Sequence, residues 1–150
     1  PTRAVWSGGY SNPTGLNNII DYVTIATTGN SKDFGDLTAT NYSNAACSNS
    51  TRALMAGGDN SVTNVINFIT ISTLGNAIDF GDLLSGTFEF SATASQLRGI
   101  WGGGLSPNDT TKIDTIQYVE ILTTGNAVDF GNLLAATQEP AATSNAHGGL

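Results

Sequence analysis

One phrase is written three times in this chain, and it constrains the fold more than any other feature. The first copy reads Ile20-Asp21-Tyr22-Val23-Thr24-Ile25, then Thr28-Gly29-Asn30, then Asp33-Phe34-Gly35-Asp36-Leu37. It returns from Ile66 to Leu83 and again from Ile116 to Leu133. A repeat recurring near every 50 residues means a modular architecture, in which each unit is one supersecondary element that buries its apolar face against its neighbours.

The repeat is wider than that phrase. Arg3, Arg52 and Arg98 each open a short apolar run that ends in paired glycines, Gly8-Gly9, Gly57-Gly58 and Gly103-Gly104. The step from Asp33 to Arg52 is 19 residues, as is the step from Asp79 to Arg98. The same step from Asp129 reaches Gly148, which puts Ala146–Leu150 in phase with Pro1–Val5. The units are therefore expected at about 1–49, 50–95 and 96–145, with 146–150 beginning a fourth. Within the first unit four runs read as strands: Arg3–Ser7, Ile20–Ala26, Phe34–Leu37 and Ser43–Ser48. They are short, rich in β-branched and aromatic residues, and bounded by Gly, Asn, Asp, Ser and Pro. No stretch combines helix caps with a 3.6-residue apolar stripe. The fold class expected is all-β.

The order of these features resembles the kelch repeat: a strand closing in Gly-Gly, a loop, a strand carrying an aromatic, a turn, then an aromatic followed by Leu. Gly8-Gly9, Tyr22 and Phe34…Leu37 fill those places in the first unit. Gly57-Gly58, Phe68 and Phe80…Leu83 fill them in the second, and Gly103-Gly104, Tyr118 and Phe130…Leu133 in the third. The departure is Phe at all three positions where kelch repeats usually carry Trp. The resemblance implies a β-propeller blade of four antiparallel strands per unit, three blades per chain. Propellers typically close with 4–8 blades. It therefore implies either further blades of a longer chain or other copies of the same chain, two copies making a six-bladed 3+3 assembly. The Thr-Gly-Asn…Asp-Phe-Gly-Asp-Leu wording also resembles repeats in predicted tail-fibre and surface proteins of tailed bacteriophages. That likeness implies a virion-surface or extracellular location.

Composition excludes several partners. The net charge is −7 with only 5 Lys and Arg, which argues against nucleic acid, whose partners present basic patches. No apolar run approaches the ~20 residues that span a bilayer, so membrane insertion is not expected. Cys47 is the only cysteine and takes the place of Thr93 and Thr143, which reads as a small buried residue rather than a reactive thiol.

The chemistry-bearing residues are few. His147 is the only histidine, so a Ser-His-Asp or Cys-His arrangement would hang on one near-terminal side chain. Copper oxidases built on the kelch propeller need two histidines and a modified tyrosine, a set this chain cannot supply. The Asp-Phe-Gly triplets at 33–35, 79–81 and 129–131 spell a kinase metal-binding tripeptide, but no other kinase element accompanies them. A structural role is expected instead, with Phe filling the space between blades and Gly permitting the backbone turn. Carboxylates are too sparse for a calcium loop. No enzyme activity, cofactor or metal is expected. Arg3, Arg52 and Arg98 are expected to pair with Asp33, Asp79 or Asp129. Trp6 and Trp101, with Met55 between them in phase, are expected in the core, a reading an exposed indole would reverse.

Strand direction then separates two faces. The strands are lettered a to d so that the double glycine closes b and the Thr-Gly-Asn turn joins c to d. The a–b and c–d connections then leave on one face, and the b–c and d–a connections on the other. The c–d turn is nearly constant. The b–c loop varies, with 13 residues from Gly9 to Tyr22, 10 from Gly58 to Phe68 and 14 from Gly104 to Tyr118. The d–a connection changes identity, from Asn41-Tyr42 to Thr87-Phe88 to Thr137-Gln138. Variable loops on a rigid scaffold are where recognition sits. The expected ligand-binding residues are Tyr10, Asn12, Tyr42, Asp59, Asn60, Phe88, Asn108, Asp109 and Gln138. Aromatic tips between amides and carboxylates suit a host cell-surface glycan or protein. A purely structural capsid- or tail-decorating role and a protein-interaction scaffold are the competing expectations.

Overall fold

The computed structural model describes residues 2–107 and 111–145, and these are all-β with no helix. His147 and the start of the fourth unit lie outside the described residues, as do Asn108 and Asp109. The strands are β1 (Arg3–Ser7), β2 (Tyr10–Ser11), β3 (Gly15–Leu16), β4 (Ile19–Thr24), β5 (Lys32–Asp36), β6 (Ala45–Ser48), β7 (Arg52–Ala56), β8 (Val65–Thr70), β9 (Ile78–Asp82), β10 (Ser91–Ala94), β11 (Arg98–Gly102), β12 (Thr115–Glu120) and β13 (Val128–Asn132).

They form four antiparallel sheets in the orders β1-β4-β5, β6-β7-β8-β9, β10-β11-β12-β13 and β2-β3. The first repeat sheet has three strands where four were expected. The reason lies in the pairing: the strand in the phase of Ser43–Ser48 bonds to the arginine strand that follows it, Ala45 to Ala56 and Ser48 to Ala53. Each four-stranded sheet thus takes its first strand from one sequence unit and the other three from the next. Side-chain oxygens make the tight a–b turns, with Asn49 Oδ1 accepting from the Arg52 amide at 2.8 Å and Ser95 Oγ from the Arg98 amide at 3.0 Å.

The Asp-Phe-Gly triplets are β-bulges. Ile20 faces Gly35 and Asp21 faces Asp33, which leaves Phe34 as the extra residue, and the other two sheets repeat the irregularity. The Asp carboxylate steadies the bulge, with Asp79 Oδ1 accepting from Gly81 N at 3.0 Å and Asp129 Oδ1 from Gly131 N at 3.1 Å. The bulge lets the next sheet approach. Gly75 N donates to Phe34 O at 2.9 Å and Ala77 N to Asp36 O at 2.7 Å. Gly125 N to Phe80 O and Ala127 N to Asp82 O repeat this at 2.8 and 2.7 Å. Asn76 and Asn126 add side-chain bonds, accepting from Asp36 N at 3.1 Å and Asp82 N at 3.0 Å. The Gly-Asn turn is therefore more than a hairpin turn: it clasps the bulge of the preceding sheet.

The apolar core lies in these seams. Ile20, Phe34, Met55, Ile69 and Ile71 bury together between the first and second sheets. Leu54, Phe80, Trp101, Val119 and Ile121 do so between the second and third. Phe34 and Phe80 are each 3% exposed, so the expected role of Phe as filler between units holds at both seams.

The arginines depart from the expected Arg–Asp pairs. Arg3 Nη1 donates to Ile71 O at 2.6 Å and Arg52 Nη1 to Ile121 O at 3.0 Å, each reaching into the next sheet. Their guanidinium groups lie 4.8 Å from the ring centroids of Tyr22 and Phe68. Asp79 and Asp129 are engaged with the bulge amides instead, and a stacked guanidinium satisfies the carbonyl of the incoming turn. Arg98 stacks 4.4 Å from Tyr118 and forms an exposed ion pair with Glu120, Nε to Oε1 at 2.7 Å.

Trp101 is fully buried and Met55 is 2% exposed, but Trp6 is 57% exposed. The core expectation holds for Trp101 and fails for Trp6, because no sheet in the described residues covers the outer face of β1. Cys47 packs against the second core beside Leu54 and Trp101. Burial pushes its thiol from 9.0 up to about 12. A raised acid stabilises the fold while it stays neutral. That contribution is whole below about pH 9 and is lost as pH climbs toward 12. Native protein at pH 8 should react with a thiol-labelling reagent far more slowly than protein in urea; equal rates would show an accessible thiol.

Candidate functional site

The connection between the first two sheets carries a concavity on the b–c/d–a face. Residues 38–41 of the d–a segment and 60–65 of the following b–c loop line a groove of about 470 Å³ with Asn67 at its base. Its polar lining is hydroxyls and amides, from Thr38, Thr40, Asn41, Asn60, Ser61, Thr63, Asn64 and Asn67, with Ala39, Val62 and Val65 between them. No ionisable side chain lines it. Such a surface offers neutral donors and acceptors in both directions.

Three features hold the groove in shape. Asn67 is buried, and its Oδ1 accepts from Thr38 N at 3.1 Å and Thr38 Oγ1 at 2.6 Å, which fixes the floor. Asn60 Nδ2 donates to Thr40 O at 2.8 Å and Thr40 Oγ1 at 3.0 Å, closing one loop on the other. Asn41 is buried, accepts from Tyr42 N and donates to Gly57 O. That amide packs so closely on Gly58 that a Cβ there would overlap it, and Gly58 has φ of +123°. The double glycine thus admits the neighbouring loop. Ser61 and Val62 lie at φ of +66° and +40°, and a β-branched residue in that region is a strained one.

The residues expected from the sequence fall in several places. Tyr42 donates its phenol proton to Asp59 Oδ2, and Asp59 N bonds Tyr42 O at 2.9 Å, so this pair is joined beside Asn60. Tyr10 is 73% exposed on the β2–β3 hairpin, and exposed Asn12 belongs to the same hairpin. Gln138 Nε2 donates to Glu89 Oε2 at 3.3 Å at the next seam. Phe88 is a correction: it is 4% exposed and bridges to Leu105 as backbone, so it cannot offer a stacking face. Its backbone turns inward just before Glu89, which takes φ of +53° and bonds Ser43 O at 3.4 Å.

The sequence reading missed Thr38, Thr40 and Asn64. A signal was available, since Leu37-Thr38-Ala39-Thr40 carries two hydroxyls where Leu83-Leu84-Ser85-Gly86 and Leu133-Leu134-Ala135-Ala136 carry one and none. Among the described residues no group of three or more His, Cys, Asp or Glu could hold a metal ion. No protein-family model matches this chain, and none of the curated proteins matches it significantly.

Proposed function

We propose that this chain is a non-catalytic recognition module, built of kelch-like propeller blades and displayed on a virion or other extracellular surface. Its ligand is a neutral glycan of the host cell surface, held in the groove between residues 38–41 and 60–65. The observation that carries this reading is the lining: hydroxyls and amides without an ionisable group, fixed by buried Asn41 and Asn67. Preorganised neutral donors and acceptors match sugar hydroxyls and cost little ordering on binding. Exposed Tyr10 offers a ring for stacking on the same face. The repeated sheet-to-sheet clasps support a blade-like stacking of units, the arrangement a propeller requires.

A neutral-glycan array probed with the labelled chain tests this. Binding should survive high salt, because no ion pair is involved. Asn64→Ala should weaken the selected glycan about tenfold, the loss of roughly one hydrogen bond, with an unchanged melting temperature. An array without signal, or binding abolished by salt, would remove the glycan reading and leave the capsid- or tail-decorating role.

A further inference from the structure

We infer that the chain carries two complementary docking surfaces and binds a second copy of itself head to tail, the third repeat sheet of one copy seating on the first sheet of the other. This does not depend on what the loop groove binds.

The two internal seams are the template. In each, the bulge of one sheet accepts the Gly-Asn turn of the next, and an arginine reaches the carbonyl that precedes the turn. Both halves of that contact recur unused at opposite sides of the molecule. On the third sheet, Phe130 is 54% exposed where Phe34 and Phe80 are each 3% exposed. A Cβ on Gly131 would meet nothing within 4 Å, whereas on Gly35 or Gly81 it would overlap the turn of the following sheet. Arg98 reaches no carbonyl and rests on Glu120. On the first sheet, Ile25 is 65% exposed where Ile71 and Ile121 are 8% and 0%. Trp6 is 57% exposed where Trp101, fully buried, donates to Ala45 O of the preceding sheet at 3.3 Å.

Seating one surface on the other repeats the internal bonds. Gly29 N and Ser31 N would donate to Phe130 O and Asn132 O, Asn30 Oδ1 would accept from Asn132 N, and Arg98 would move to Ile25 O. The indole of Trp6 would reach Ser91 O. A missing strand is supplied as well. The outer edge of β1 is unpaired among the described residues, and residues 141–144 stand in the phase of β6 and β10 without a strand partner. Ser144 Oγ bonds Ala94 O at 2.7 Å, which holds the segment beside β10 as β6 lies beside β10. By the register of the other sheets, Ala141 would face Ser7 and Ser144 would face Ala4 of the second copy. A contact of this kind joins two different patches, so it closes a ring or extends a filament.

Sedimentation velocity and native mass spectrometry of the full chain test the inference. The wild type should exceed 15.4 kDa, a two-chain ring giving twice that mass. Ile25→Glu and Phe130→Glu should each give folded monomer, since both side chains are exposed in the single chain. Mixing the two variants should restore a heterodimer, because one intact surface of each kind remains. A wild type that stays monomeric at high concentration overturns the inference. So does an assembly that either charge leaves intact, or one that mixing fails to restore. Should a charged variant misfold, Trp6→Ala and Arg98→Ala probe the same two surfaces.

Discussion

Trp101→Ala should cost about 3–5 kcal/mol of stability, the range for emptying a buried indole site. The side chain is fully buried between the second and third sheets, and its indole N–H meets Ala45 O at 3.3 Å. Removing it leaves a cavity and takes away the indole bond to that carbonyl. A loss of that size would unfold many small domains. Trp6→Ala removes the same side chain from the same repeat position. In dilute monomer it should cost under about 1 kcal/mol, because more than half of that side chain already meets water. Urea denaturation of both variants at low protein concentration measures the contrast. Similar costs would mean that the outer face of β1 is covered within the single chain.

Gly81→Ala against Gly131→Ala makes the second contrast. Both glycines close the same bulge and sit at φ of +145° and +140°. An alanine meets a similar backbone strain at each, roughly 1–3 kcal/mol. At Gly81 the new Cβ would also lie under 3 Å from the carbonyl of Gly125. That overlap forces the turn off the bulge and should add about 1–3 kcal/mol, the usual cost of overpacking. It also lengthens the Gly125-to-Phe80 and Ala127-to-Asp82 bonds, 2.8 and 2.7 Å in the native seam. Hydrogen exchange at the Gly125 and Ala127 amides should speed up in Gly81→Ala and stay unchanged in Gly131→Ala. Equal thermal losses in both variants, compared as dilute monomer, would leave backbone strain as the whole effect and the close seam as incidental.

Much of the local structure was legible in the chain. Alternating β-branched and aromatic residues placed β4, β8 and β12, and the double glycines marked where their partners end. The triplicate phrase announced equivalent units. Less legible was what each residue of the phrase contacts. Asp33, Asp79 and Asp129 looked like partners for the arginines because opposite charges recur together. The structure gives Asp79 and Asp129 to their own bulge glycines and gives Arg3 and Arg52 to carbonyls of the next sheet. Phe88 looked like a loop tip because it follows a variable connection. It is buried and its backbone bridges to Leu105, seventeen residues away (88 to 105), and no local pattern encodes that pairing.

The groove shows the same division. Asn60 was visible as a changing loop residue, with the Tyr42–Asp59 pair beside it and outside the lining. Thr38 and Asn64 joined Asn60 only when two sheets were set side by side, since residues 38–41 and 60–65 are separated in sequence and meet across a seam.

What the sequence alone determined is the repeat, the all-β class and the short-range turn chemistry, because those follow from residue type and spacing within a few positions. The tertiary structure decided which sheet each strand joins, which copy of a repeated side chain is buried and which is bare, and where a concavity opens. Those depend on the neighbour each unit receives. Identical residues such as Phe80 and Phe130 have the same local preferences, and only the presence of a following sheet makes one a core residue and leaves the other in water.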